Sequence, residues 1–291
     1  MEEVRGLTKK ILDYRLENNG EGKGYNHIMM QIFGYMGNGK SSLINSLMSI
    51  VKEERYRTLA PVATGHEKNG ALTTHRTSYP LTDTITLVDN RGFGPMDSYE
   101  EQEIYAQLAN ILPLNEKVIW EKSFMDTVIK VQGSVENRKD LLVPLYIYSA
   151  EQGCSSKPND IKTFLQNCQK MTGILPIIVL TKSTSSKLAG VCKQFQDMGM
   201  ESIIAIENYI PENNIRTPGK DTKLLSVLTE ALRLVDFRIQ TLSDPEADHN
   251  ERMKLLLSLA NEREIEKVRE EERKKIDEEL QMKKQKKWYF W

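Results

Sequence analysis

From residue 1 to about residue 240, short apolar runs alternate with amphipathic segments, the pattern of a parallel sheet covered by helices. The runs predict strands at Ile28–Phe33, Ser78–Leu81, Ile85–Asp89, Leu141–Ser149, Leu175–Thr181 and Ile203–Ile206. Several are apolar at successive positions, which suits strands with helices on both faces. Helical periodicity predicts Lys40–Val51, Tyr99–Ile111, Lys157–Met171, Ser186–Met198 and Lys220–Asp236. The stretch Pro113–Asp140 exceeds an ordinary connection and reads as an insertion. No internal repeat is present.

After Ser243-Asp244-Pro245 the pattern changes. Glu270 and Lys274, Glu271 and Lys275, and Glu279 and Lys283 form i,i+4 pairs in the favourable order, so the tail reads as one long helix. Its apolar positions (Leu255, Leu256, Leu259, Ile265, Val268, Ile276, Leu280) thin out and sustain no heptad. Two readings follow, a solvated helix first and a coiled-coil partner site second. The end, Lys283–Trp291, sets four lysines before four aromatics. It either touches an anionic membrane surface peripherally or folds back to bury its rings.

Charge sharpens this division. The 291 residues carry 40 Lys+Arg and 41 Asp+Glu, a formal net charge of −1, which argues against a nucleic-acid binder. That balance hides a segregation, since residues 241–291 hold 25 of these charges in 51 positions. No apolar run approaches the roughly 20 residues of a spanning helix. The Met-Glu-Glu opening lacks the basic-then-apolar form of a leader. Cys154, Cys168 and Cys192 lack metal-ligand spacing and read as reduced thiols, so a cytoplasmic setting is expected.

The decisive run is Gly34-Tyr35-Met36-Gly37-Asn38-Gly39-Lys40-Ser41-Ser42, which fits the phosphate loop G-x-x-x-x-G-K-[ST] between a predicted strand and a predicted helix. Glycines let backbone N–H groups wrap onto phosphates. Lys40 supplies a point charge to the β- and γ-phosphates, and Ser41 a hydroxyl for Mg²⁺. Gly34, Gly37, Asn38, Gly39, Lys40, Ser41 and Ser42 are therefore candidate cofactor-binding residues.

A second signal begins 48 residues after Ser41, where the strand Ile85–Asp89 ends in Asp89-Asn90-Arg91-Gly92. In this D-x-x-G pattern the acid reaches Mg²⁺ and the glycine N–H meets the γ-phosphate. Upstream, Thr73 and Thr74 precede the second strand, and Thr74 is the candidate to close over Mg²⁺ and the γ-phosphate. Its alternative is a backbone-capping hydroxyl. The expected metal set is Ser41, Thr74 and Asp89, and the expected catalytic set is Thr74, Arg91 and Gly92.

A third signal is altered. Thr181-Lys182-Ser183-Thr184 follows an apolar strand and resembles the [NT]-K-x-D element that reads guanine, with Thr184 in the place of the acid. A hydroxyl cannot accept from guanine N1 and N2 together as a carboxylate does. Thr181 and Lys182 remain candidate nucleotide contacts. Asn208, in Glu207-Asn208-Tyr209, either lends an amide to the base or is a turn residue.

With these motifs in order, the chain resembles the P-loop GTPases, and more specifically the interferon-induced protein 44 family. The finer resemblance is carried by Gly34–Ser42, Thr73–Tyr79, Asp89–Gly92, Arg138–Val143, Leu180-Thr181-Lys182, Glu207-Asn208-Tyr209, Gly219-Lys220-Asp221 and Leu224–Asp236. It covers roughly residues 25–240 and excludes the charged tail. It implies a cytosolic domain that binds GTP or GDP with Mg²⁺ and takes part in innate antiviral responses.

The fold expected is a P-loop GTPase-like α/β domain, a mostly parallel sheet flanked by helices, with a long charged carboxy-terminal helix. The expected division is an amino-terminal helical segment at 1–25, the nucleotide domain at 26–240 and the charged helix at 241–291. Phe93 stands where many small GTPases carry a water-orienting Gln, so hydrolysis is expected to be slow or to depend on self-association. Arg91 and Arg76 either stabilise transition-state charge or lie in solvent, and His75 either orients water or is a surface residue. A protein partner or a second copy is expected at the switches, around residues 60–77 and 89–100, or along the carboxy-terminal helix. The alternatives are a nucleotide-bound scaffold that does not turn over GTP or ATP and, less favoured, a P-loop kinase.

Overall fold

The computed structural model describes residues 2–16, 24–61, 75–92, 94, 98–119, 124–133, 139–241 and 244–288. Seven strands form one sheet: β1 (His27–Phe33), β2 (His75–Pro80), β3 (Ile85–Asp89), β4 (Glu116–Lys117), β5 (Asp140–Ser149), β6 (Ile177–Thr181) and β7 (Ile203–Ala205). Their order is β4-β2-β3-β1-β5-β6-β7. The β3, β1, β5, β6 and β7 strands run parallel, and β2 and β4 add an antiparallel margin. The result is a mostly parallel α/β sheet flanked by helices.

The helices are α1 (Glu2–Leu12), α2 (Lys40–Val51), α3 (Ser98–Leu108), α4 (Phe124–Gly133), α5 (Pro158–Thr172), α6 (Leu188–Asp197), α7 (Pro218–Thr241) and α8 (Pro245–Trp288). Strand alternation sorts them into two layers. On β5, Leu141, Val143, Leu145 and Ile147 join the core shared with α1, α2 and α7, while Tyr146 and Tyr148 face α3, α5, α6 and α8. Tyr146 meets both Phe164 and Phe195 with ring centroids 6.0 Å apart.

Several expectations shift. The second strand starts at His75 rather than Ser78, because Arg76 turns inward and β4 pairs with His75–Arg76. The insertion at 113–140 contains β4 and α4. The tail helix is not solvated throughout. Met253, Leu256 and Ala260 are buried in its first turns, and α8 packs on α3, α4 and α5. Asp248 of α8 also pairs with Arg238 of α7 at 2.7 Å. Beyond Ala260 the side chains described are mostly exposed, Ile265, Val268, Ile276 and Leu280 among them. The helical backbone runs to Trp288, and the end of the basic-aromatic segment lies outside the described residues. No helix among the described residues is long and apolar enough to cross a membrane.

Candidate nucleotide-binding site

Parallel strands open their carboxy-terminal ends to one side, where ligands of open α/β sheets sit. Here the Gly34–Gly39 loop leaves β1 and enters α2. Gly34 has φ +148, and a Cβ there would lie 2.2 Å from the Ile147 carbonyl oxygen, so the loop can only be this close to β5 without a side chain. Gly37 and Gly39 also have positive φ, and Gly39 caps α2. Every residue of α2 except Ser41 is buried, so the loop stands on a helix fixed in the core. The amino-terminal end of α2 brings unpaired N–H groups and the positive end of its dipole to the same point.

Lys40 is 7% exposed and donates to the carbonyls of Gly34 (3.0 Å) and Tyr35 (3.1 Å). Burial pulls its ammonium down to about 8, opposed by the nearby Asp89 charge. Asp89, at the end of β3, is 1% exposed and accepts the Ser41 hydroxyl at 2.9 Å. Burial raises the Asp89 carboxyl above its usual range, opposed by Lys40 and by the Ser41 bond. Its second oxygen, Oδ1, is buried without a hydrogen-bond partner among the described residues. Gly92 closes the group, since a Cβ at Gly92 would meet the Lys40 ammonium at 2.7 Å. Loop, lysine, serine, aspartate and glycine, remote in sequence, thus converge at one point.

Asn38 faces inward. It donates to the Ile147 carbonyl (3.2 Å) and accepts from Gln152 (2.8 Å), so its amide braces the loop from inside rather than facing the open side. Thr181 donates to the Asn38 carbonyl (2.9 Å) and ties the end of β6 to the loop. Lys182 follows with φ 59 and is exposed. Asn208 donates its amide to the Gly39 carbonyl (3.0 Å), so it clamps the loop, while its side-chain oxygen is buried without a partner. Ser42 lies in the first turn of α2, and its carbonyl accepts Ser46 Oγ–H (2.7 Å). Ser46 Oγ in turn accepts the Tyr209 N–H (2.8 Å), joining the 207–209 loop to α2.

Arg91 is not directed at this point. It pairs with Glu103 of α3 at 2.7 Å, and its backbone N–H donates to Gln107. Arg76 is not in solvent. It is fully buried and donates to Asn90 Oδ1 (3.0 Å), Asn110 Oδ1 (2.6 Å), Gln31 Oε1 (3.2 Å) and the Leu112 carbonyl. His75 is exposed. Thr73, Thr74 and Phe93 lie outside the described residues.

Two features escaped the sequence. The Arg76 knot holds Asn90, the residue after Asp89, and so braces the Asp89–Gly92 turn from behind. Glu207, beside the anticipated Asn208, accepts at one oxygen the Thr184 N–H (3.0 Å) and the hydroxyls of Thr184 and Ser183 (3.3 Å each). A carboxylate beside the base-reading element was the available signal, but its reach depends on how β7 pairs with β6.

The strand–loop–helix at β1 and α2, with Asp89 and Thr181 at the carboxy-terminal ends of β3 and β6 on either side of β1 and β5, defines a P-loop GTPase-like α/β fold. No family model matches the chain, and neither does any curated protein. Among solved structures the chain is similar to a probable GTP-binding protein EngB, with a TM-score of 0.37 and 12% identity, covering 72% of this chain and 99% of that one. At that score the likeness is descriptive only. The fold rests on the strand order, and the site on the side chains above.

Proposed function

We propose that this protein is a guanine-nucleotide-binding switch that holds Mg²⁺·GTP at the Gly34–Ser41 loop and turns it over slowly. The observation that carries the reading is the convergence of Lys40, Ser41, Asp89 and Gly92. A buried lysine served only by its own loop carbonyls exchanges those weak acceptors for phosphate oxygens at little cost. The donor set also suits Mg²⁺. Ser41 Oγ and Asp89 are hard oxygen ligands, and Asp89 Oδ1 is a buried acceptor without a donor. Ser41 and Asp89 would hold the ion, which neutralises charge between the β- and γ-phosphates when bound. Gly92 offers its N–H beside Lys40, so presence or loss of a γ-phosphate changes what this turn can contact.

Calorimetric titration with GTP, GDP and ATP, with and without Mg²⁺, tests the reading. Micromolar or tighter Mg²⁺-dependent binding that Lys40→Ala abolishes is expected. Unchanged binding by that variant would remove the assignment.

A second reading, a nucleotide-bound scaffold that does not hydrolyse, is favoured by the fate of the two arginines. Arg91 is engaged by Glu103 and Arg76 is enclosed in the protein. Multiple-turnover phosphate release sensitive to Lys40→Ala counts against it. The finer placement, a cytosolic protein of interferon-induced protein 44 type, rests on the sequence elements alone. Induction of the protein in interferon-treated cells checks it. Peripheral membrane contact through Lys283–Trp291 is checked by comparing acidic-liposome binding of the full chain with that of a chain ending at Met282.

A further inference from the structure

The sequence leaves the base pocket without its acid, because Thr184 stands at that place. The structure brings an acid there from another strand. Glu207, just after β7, turns toward the β6 loop, and Ser183 N–H donates to the Ile206 carbonyl at 3.3 Å, so the two loops run side by side. Hydrogen bonds from Thr184 N–H, Thr184 Oγ–H and Ser183 Oγ–H all fall on Glu207 Oε1. No bond from a described residue falls on Oε2. The next residue, Asn208, is bonded to Gly39, which holds this carboxylate beside the phosphate loop. Lys182, exposed with φ 59, stands next to it with an aliphatic stem able to cover a flat ring. Lys220 sits 4.0 Å over the Tyr209 ring at the back of the same loop.

We propose that Glu207 is the base-reading carboxylate of this protein, with hydroxyl and acid exchanged between the two loops. Thr184 and Ser183 position Glu207 through Oε1, and Oε2 accepts from a purine edge that presents adjacent N–H donors. Guanine offers N1–H and the 2-amino group. Adenine offers a lone pair at N1 and no amino group at C2, so a carboxylate repels it. Xanthine carries a carbonyl at C2 and is refused for the same reason. The inference rests on the nucleotide-binding reading above and gives it a base preference.

The experiment is competition of GTP, ITP, XTP and ATP, each with Mg²⁺, against a fluorescent guanosine triphosphate on the full-length protein. Wild type is expected to favour GTP over ITP, which lacks the 2-amino group, by about tenfold, and over XTP and ATP by more. Glu207→Gln keeps the acceptor for Thr184 N–H but presents an amide donor in place of an acceptor. It is expected to weaken GTP about 10- to 100-fold and to strengthen XTP about tenfold. A role confined to holding the loops together would weaken all four nucleotides alike and yield no gain for XTP.

If wild type binds none of the four, the nucleotide-binding reading itself fails. If wild type binds GTP, ITP, XTP and ATP equally, or Glu207→Gln leaves the GTP-to-XTP ratio unchanged, the Glu207 assignment is overturned while nucleotide binding stands. The wild-type ITP and XTP comparison needs no variant, so the proposal stays exposed even if Glu207→Gln does not fold.

Discussion

Lys40 and Arg76 are both cations inside the protein, on either side of the Asp89–Gly92 turn, and their surroundings differ. Arg76 is surrounded by four neutral oxygens from Gln31, Asn90, Asn110 and Leu112, with Asp140 one hydrogen bond further out through Asn110 (2.9 Å). Burial draws its guanidinium down to about 9, still charged at neutral pH. Lys40 has two carbonyls of its own loop and, within reach, a carboxylate with one orphaned oxygen. Four of the five N–H donors of the first charge are met by protein oxygens. The second is held by its own loop at a helix amino terminus, where an incoming anion would complete it. The source of the acceptors, three separate segments for Arg76 and a single loop for Lys40, rather than depth, separates the two cations.

The largest test falls on Arg76. Arg76→Ala strands Gln31, Asn90 and Asn110 and is expected to cost about 3–5 kcal/mol in urea unfolding. A loss under about 1 kcal/mol would erase the distinction. Lys40→Ala should do the reverse. GTP affinity falls at least about 100-fold, while stability of the free protein stays within about 1 kcal/mol or rises, because a poorly served buried charge is gone.

Proton linkage separates them next. In the free fold Lys40 releases its proton as pH rises through about 8, whereas an unfolded lysine holds it to about 10.4. The folded state therefore binds fewer protons in that window, and the Lys40 contribution to stability increases with pH there. Phosphate restores the proton, so GTP affinity should fall above pH 8, by up to about tenfold per unit. Calorimetry at pH 8.5 in two buffers of different ionisation enthalpy should reveal proton uptake, and Lys40→Arg should abolish it. The smallest effect belongs to Arg91→Ala. The Arg91 side chain is 36% exposed and Gln107 still donates to the buried Glu103 left behind (3.2 Å), so the loss is about 1 kcal/mol, and single-turnover hydrolysis should change by less than about threefold. A hundredfold loss would return Arg91 to the catalytic set.

What the sequence made legible is what short-range chemistry dictates. The helix Lys40–Val51 and the strand Ile85–Asp89 have the bounds that glycine placement and apolar periodicity set. Arg76 was illegible because its partners lie at 31, 90, 110 and 112, and one arginine near a strand end carries no mark of burial. In the sequence Asn208 stands out over Glu207 because a carboxamide suits a base. The bond between Glu207 and Thr184 spans 23 residues and exists only through the β6–β7 register. Leu255, Leu256 and Leu259 looked like a thinning stripe because periodicity reports a face without saying what it meets. They meet α3, α4 and α5.

The outer part of α8 acts as a spacer. Beyond Ala260 the helix continues for roughly 40 Å, at about 1.5 Å per residue, whereas a 240-residue domain has a radius of gyration of about 18 Å. Charge is screened within about 8 Å at physiological salt, so gain or loss of a γ-phosphate is electrically silent at the tip. Only matter in contact can carry that news. One route runs from the Asp89 turn through Arg91 to Glu103 and Gln107 of α3, and from α3 into the seated turns of α8. The ion pair between a partly exposed arginine and a buried glutamate would then act as a coupling rod between a bound nucleotide and whatever the distant end touches.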